Sequence, residues 1–351
     1  MLGEFSGLAE IAMRGRGLFP PPGPDLRERL RDALGLLELT AGDVRVERRW
    51  TGAGLAGEEL SWTVGFGPRT RAFLLRPRDA AGPLPGVVAM HCHAGMKWAG
   101  KDKIADGPEP PAPEIVRLRA RLYGGRAYAN ELARRGFAVL VHDVFAWGGR
   151  RFPLETGPGP DASEPDRYDR AARDHEHVLA KACTVLGTSF AGVLASEDLA
   201  AAAYLRSRPD ITAVSTIGLS GGGGRAALLG ALDPGIGAVA VAAVVSSFRD
   251  LCEEHVAAHS WMLFPAGLTR LADWPGVVAA RAPAPLMVLY ATADPLFPIQ
   301  GMHRAHRQIT EAYRRAPDRY TGTFFDAPHV FDRPMQDAAF AWLADVGATA
   351  A

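Results

Sequence analysis

The stretch most suited to chemistry is a serine set among glycines, Ile217-Gly218-Leu219-Ser220-Gly221-Gly222-Gly223-Gly224-Arg225. A β-branched apolar run from Ile211 to Ile217 precedes it, and an Ala/Leu-rich run follows. That order predicts a sharp strand–turn–helix with Ser220 at its tip, the nucleophile elbow. Gly218 and Gly222 would remove the Cβ atoms that collide across such a turn. A helix beginning near Gly221 would aim free N–H groups and a positive dipole end at whatever the serine attacks. With 39 glycines in the chain, an ordinary glycine-rich turn is the competing reading. The flanking strand and helix favour the nucleophile. A phosphate cradle is disfavoured, because Arg225-Ala226 stands where the P-loop needs Lys-Ser/Thr.

A serine nucleophile needs a base, and the base needs an orienting acid. Downstream histidines are His255, His259, His303, His306 and His329. Only His329 follows directly on an expected strand, Thr321 to Phe325, so it is the predicted base. The run Leu286-Met287-Val288-Leu289-Tyr290 leads into Asp294-Pro295, which puts Asp294 just past a strand's carboxyl end. Asp294 is the predicted acid, although an Asx-type turn before Pro295 would equally use it. Asp326 is the competitor, but it shares the loop of His329. The oxyanion hole needs two N–H groups, predicted at Gly221 and at His93 in the loop His91-Cys92-His93-Ala94-Gly95. His91 and His93 could instead be a metal pair, completed by His142 and Asp143 or by His175 and His177. That reading leaves Ser220, Asp294 and His329 without a purpose, so no metal and no cofactor is expected.

The elements that must position these residues follow from pattern. Residues 44–48, 60–64 and 70–75 alternate or run apolar between glycines and are read as antiparallel strands at one edge. From residue 85 the pattern becomes strand, helix, strand, helix, with strands at 86–91, 137–143, 211–217, 238–245, 285–290 and 321–325. This alternation predicts an α/β chain with a mostly parallel, doubly wound sheet. One long helix is expected over Val178 to Arg206, and long loops at 92–119 and 147–167. Residues 1–40 read as an arm plus the helix Asp25–Gly35, ahead of one domain over 41–351 with an insertion at about 246–283. Within the insertion, Trp261-Met262-Leu263-Phe264-Pro265 is a poor helix interior and a plausible pocket wall. Trp261 and Phe264, with His91, are the expected substrate contacts.

The chain has 351 residues and no net formal charge, from 39 basic and 39 acidic side chains. Nothing in that balance favours nucleic acid or an anionic membrane surface. No stretch has the length and apolarity of a membrane span, and the N-terminus has no signal-peptide core. Three scattered cysteines fit a reducing cytoplasm, the expected location. The expected partner is a small molecule, and nothing argues against a homo-oligomer.

Beyond the elbow, several stretches carry a family resemblance. They are His91-Cys92-His93-Ala94-Gly95 with Lys97 and Gly100-Lys101, Ala127 to Ala133 before Gly136, Asp143 with Trp147-Gly148, and Tyr204 to Pro209. Ala231-Leu232-Asp233-Pro234 and Ala291-Thr292-Ala293-Asp294-Pro295 continue the series. Over about residues 40–345 the chain resembles the α/β-hydrolase superfamily, and within it bacterial dienelactone-hydrolase-like and acetyl-xylan-esterase-like proteins. The resemblance implies an α/β-hydrolase fold with a helical cap. It implies a serine esterase whose nucleophile, acid and base fall on Ser220, Asp294 and His329. Dienelactone hydrolases carry cysteine at the elbow, and the serine here points toward esterases acting on a small ester. An acyltransferase or cyclase using the same triad, and a non-catalytic binding protein on the same fold, are the alternatives.

Overall fold

The computed structural model describes residues 3–157 and 163–349. Two short helices come first, α1 (Gly7–Gly15) and α2 (Leu26–Leu34). Three strands follow, β1 (Gly42–Gly52), β2 (Leu55–Thr63) and β3 (Thr70–Pro77), then β4 (Leu84–Met90). Next come α3 (Pro113–Leu122), α4 (Tyr128–Arg134), β5 (Ala138–His142), α5 (Glu164–Val185) and α6 (Phe190–Ser207). The second half runs β6 (Ile211–Leu219), α7 (Gly221–Leu232), β7 (Ile236–Ala242), α8 (Phe248–Glu254) and α9 (Trp274–Val278). It ends with β8 (Leu286–Ala291), α10 (Ile299–Ala312), β9 (Tyr320–Phe325) and α11 (Arg333–Thr349).

The strands form one nine-stranded sheet in the order β1-β2-β3-β5-β4-β6-β7-β8-β9. β1, β2 and β3 are antiparallel at one edge, and β3 pairs antiparallel with β5. Every pair from β5 to β9 is parallel. The antiparallel edge and parallel remainder are those expected from the sequence. The central strands are largely apolar, as helices covering both faces require. Val88, Met90, Val239 and Val241 join the core on one side, and Val87, Ala89, Ala240 and Ala242 the core on the other. Leu26, Leu30 and Leu34 of α2 are buried in the first of these cores.

Three expectations need correction. The long helix over 178–206 is two helices, α5 and α6, set at 82° to each other. The break has a local and a distant cause. Gly187 takes φ 74°, and Ser189 caps α6 by accepting from Gly192 N at 2.9 Å. The Leu34 carbonyl, from the end of α2, then accepts from both the N–H and the hydroxyl of Ser189. The expected loops are also shorter, since α3 begins at Pro113 and α5 at Glu164, and the N-terminal arm contains α1. No single helix among the described residues is long and apolar enough to cross a membrane.

The strand order places the site. β4 lies between β5 and β6, so the chain leaves its carboxyl end in opposite directions, which opens a crevice there. Met90 pairs with Gly218 and Ala291 with Phe325. The loops carrying His93 and Ser220 therefore leave the sheet side by side, as do those carrying Asp294 and His329.

Candidate active site

Ser220 joins β6 to α7 with φ 56° and ψ −125°. A non-glycine residue held there costs on the order of 1–3 kcal/mol, so its surroundings must over-determine it. They do so through backbone bonds: Ser220 N donates to Ala242 O at 2.9 Å, and Ser220 O accepts from Gly224 N at 2.8 Å. A Cβ on Gly218 would collide with the Gly222 backbone, and one on Gly222 with the Met90 carbonyl. The first turn of α7 thus lies directly against the end of β4.

That contact brings the loop after β4 to Ser220. His93 N lies 3.1 Å from the point a Cβ on Gly221 would occupy. The His93 amide donates to no protein acceptor among the described residues, and Gly221, first in its helix, has no carbonyl one turn back to bond. The His93 ring is fixed from both sides. Its Nδ1 accepts from Gly95 N at 3.0 Å, so Nε2 carries the proton and donates to Glu176 Oε2 at 2.9 Å. Glu176, on α5, also has Lys97 Nζ 2.6 Å from Oε2, and its Oε1 accepts from Ser260 Oγ at 2.6 Å and Trp261 N at 3.1 Å. Burial opposes the charge of Glu176, but the bond from His93 and the Lys97 ammonium outweigh it and hold the carboxyl well below its ordinary range. Burial likewise lowers His93 and Lys97, with Glu176 pulling both the other way.

The other side of the site is simpler. Asp294 Oδ2 accepts from His329 Nδ1 at 2.6 Å, and its Oδ1 accepts from Leu296 N at 2.8 Å. The second bond is the Asx turn expected before Pro295, and it leaves Oδ2 to His329. The Asp294 carboxylate has no exposed surface, while His329 keeps 16% of its side chain exposed. Asp326 is exposed, and His329 bonds to Asp294 instead. His259 stands beside this pair, its Nε2 on Leu296 O at 3.0 Å; burial pushes its pKa down to about 4, so it is neutral at pH 7.

Ser220, Gly221, His93 and His329 all open on one cavity of about 790 Å³. Such a volume suits a small-molecule ligand. The segment over 246–283, between β7 and β8, forms one wall. Its ends are held by Asp273, which accepts from Ser247 Oγ, Phe248 N and Trp274 N at 2.6–2.8 Å. Trp261, Met262 and Leu263 line the cavity from a 3₁₀ turn, and the Met262 sulfur lies 3.2 Å from the Gly221 Cβ point. Arg121 and Arg173 line it where they are exposed, with no acid partner among the described residues.

Two expected substrate contacts are corrected. Phe264 does not line the cavity; it is half-buried behind the wall, packed on Phe248 and His259 at ring distances of 5.6 and 5.9 Å. His91 is buried beneath the loop with Nδ1 3.2 Å from Cys92 O and does not reach the cavity. The rings of the alternative metal set are spread over different partners: His142 on Asp198, His175 against Phe152, and His177 accepting from Trp261 Nε1. Among the described residues no three His, Cys, Asp or Glu side chains are grouped to hold a metal ion. Glu176 went unseen in the sequence. Its signal was a charge on the stripe Tyr168, Ala172, Glu176, Leu179, Cys183, which α5 buries.

No protein-family profile matches the chain. Among curated proteins, "Putative hydrolase YtaP" of Bacillus subtilis (strain 168) is 24% identical over 245 residues, 69% of this chain and 71% of that protein. A solved structure of a "putative acetyl xylan esterase" from Bacteroides fragilis NCTC 9343 superposes with a TM-score of 0.71 at 16% identity, covering 92% of this chain and 86% of that one. A glucuronoyl esterase from Solibacter usitatus gives 0.61 at 15% identity, covering 91% of each chain. With the sheet order above, these likenesses show an α/β-hydrolase fold.

Proposed function

We propose that the chain is a serine hydrolase of carboxylic esters, working through an acyl-enzyme. Ser220 Oγ attacks the ester carbonyl while His329 Nε2 takes its proton. The Nδ1–H of His329 stays on Asp294, which fixes the tautomer and stabilises the imidazolium. The N–H groups of His93 and Gly221 receive the tetrahedral oxyanion. Collapse expels the alcohol, protonated by His329, and water attacks the acyl-enzyme by the same steps in reverse order of roles. No cofactor enters the cycle.

One observation carries the reading: a serine in strained left-handed backbone shares a cavity with a histidine whose far nitrogen is already bonded to a buried carboxylate. No hydrogen bond joins Ser220 Oγ to His329 among the described residues, as is common before substrate arrives. The esterase names of the structural neighbours support ester hydrolysis, and two of those names, acetyl xylan and glucuronoyl esterase, make carbohydrate esters the first substrates to screen.

The test is Ser220→Ala assayed on acetate esters, with fluorophosphonate labelling of the wild type. Loss of about 10⁴–10⁶ in kcat is expected. A folded mutant keeping more than about a tenth of wild-type rate would overturn the assignment. Products analysed with and without added alcohol separate hydrolysis from acyl transfer.

A further inference from the structure

The loop after β4 carries three lysines, and one of them is anomalous. Lys97 stands 2.6 Å from Glu176, and Lys101 lies 3.3 Å from Asp102 and 3.7 Å from Asp143. Lys103 is wholly buried and forms no ion pair among the described residues. A buried ammonium without a carboxylate is costly, and substitution by an apolar residue would ordinarily be favoured. Its Nζ donates instead to two backbone carbonyls, Cys92 O at 2.8 Å and His93 O at 3.1 Å, and lies 5.9 Å from the centroid of the Trp147 ring. Its own backbone is clamped, with Lys103 O accepting from Arg119 Nε at 3.1 Å.

We propose that Lys103 is a positioning residue for ester hydrolysis: its ammonium bonds the carbonyl of the Cys92–His93 peptide and so aims and strengthens the His93 N–H that receives the oxyanion. This rests on reading Ser220 as the nucleophile and His93 N–H as an oxyanion donor. The carbonyl of Cys92 and the N–H of His93 belong to one planar peptide unit. A positive charge on the oxygen draws density through the C–N bond and makes the N–H a better donor, as in any hydrogen-bonded chain. The second bond, to His93 O, fixes the next peptide, so the N–H between the two carbonyls cannot rotate away. The ammonium is also a preorganised positive charge in a water-excluded site, where it needs no rearrangement as the oxyanion forms.

Ionisation gives a signature that mere packing lacks. Burial pushes the Lys103 pKa down to about 8. The Cys92 thiol, Asp169 of α5 and Asp143 after β5 favour its charge, and Arg225 of α7 opposes it. The His91 and His93 rings also face it, both lowered mainly by burial. The ammonium is therefore present below about pH 8 and lost above it, and kcat falls as pH rises through that value. Stability runs the other way. The folded pKa is depressed below the unfolded one, so between about pH 8 and about 10 the unfolded state holds more protons and the Lys103 contribution to folding becomes more favourable.

The test compares wild type, Lys103→Met and Ser220→Ala on p-nitrophenyl acetate across pH, with a trifluoromethyl ketone as a probe that Ser220 converts to an oxyanion. Lys103→Met is expected to lower kcat by about 10²-fold with KM changed less than about 3-fold, and to weaken the ketone by the same factor as kcat/KM. The alkaline fall in kcat disappears in the variant. A folded Lys103→Met that keeps kcat within about 3-fold, or puts its loss in KM, overturns the proposal. The wild type alone provides a second check. Constant kcat and constant ketone affinity from about pH 7 to about 9.5 overturn the proposal without any variant. Full activity in Ser220→Ala would instead overturn the nucleophile reading, separately from Lys103.

Discussion

The two sides of the cavity are built by different means. One side, the proposed acid–base pair, takes Asp294 and His329 from the ends of neighbouring strands β8 and β9 and joins them with one 2.6 Å bond. The other, the proposed oxyanion side, is the loop after β4, and no strand pairing fixes it beyond Met90. Its geometry comes from α5, from Lys103 on the Cys92 and His93 carbonyls, and from Asp143 and Gly148 after β5. Glu176 holds His93 and Lys97, and Asp169 accepts from the backbone N–H groups of Lys97 and Trp98 at 2.7 and 2.8 Å. Proton transfer needs two side-chain atoms at a set separation, which adjacent parallel strands supply directly. An oxyanion donor needs a backbone N–H held at a set angle, and a loop backbone holds still only when outside groups bond it. Damage to the first side should therefore appear in rate, and damage to the second in stability and rate together.

The largest expected effect tests the first half of that statement. Asp294→Asn should lower kcat by about 10³–10⁴, because an amide can favour the wrong imidazole tautomer. Asp326→Asn, at an exposed position, should stay within about 3-fold of wild type. Urea unfolding of both should be close to wild type. An inactive Asp326→Asn beside a normal Asp294→Asn would show the acid assigned to the wrong residue.

Glu176→Gln tests the second half with a smaller effect on rate. The amide still accepts from Ser260 and Trp261, but Lys97 is left buried and unpaired. A stability loss of about 3 kcal/mol is expected, with kcat lowered by about 10-fold as the His93 loop loosens. The sign of the pH dependence follows from the depressed carboxyl of Glu176. Its stabilisation is complete above the ordinary carboxylate range and is lost as pH falls below about 4, so the gap between wild type and mutant should narrow there. A mutant as stable as wild type at pH 7 by urea titration would erase the distinction between the two sides.

The same contrast explains what the sequence could tell. Ser220, Asp294 and His329 each stand where an apolar strand run stops, so position along the chain locates them. The sheet was legible for the same reason, since its strands are continuous apolar segments between turns. The α5/α6 break was only half legible: Gly187 and the capping Ser189 mark it locally, but the acceptor that holds the turn, Leu34 O, lies 155 residues before Ser189. Lys103 carries no local sign at all, since its partners are backbone carbonyls. Phe264 was misread for a different reason: every residue from Trp261 to Phe264 is apolar, and only the 3₁₀ geometry decides which face inward.

That last ambiguity yields the smallest predicted effect, a change of preference rather than of rate. Trp261 is 47% exposed, yet its indole is not free, because Nε1 donates to His177 Nδ1 at 2.8 Å and its backbone N–H to Glu176. The ring is thus held at the cavity by α5, the same helix that holds the His93 loop. Trp261→Ala removes that wall and should shift preference from acetate toward octanoate esters by about 10-fold in the kcat/KM ratio. Phe264→Ala is the control. It removes a ring packed on Phe248 and His259, outside the cavity, so it should cost about 2 kcal/mol of stability and leave the chain-length profile unchanged. If Phe264→Ala shifts the profile and Trp261→Ala does not, substrate size is set by the packing behind the cavity wall, and the turn at Trp261–Leu263 is only a cover for Gly221.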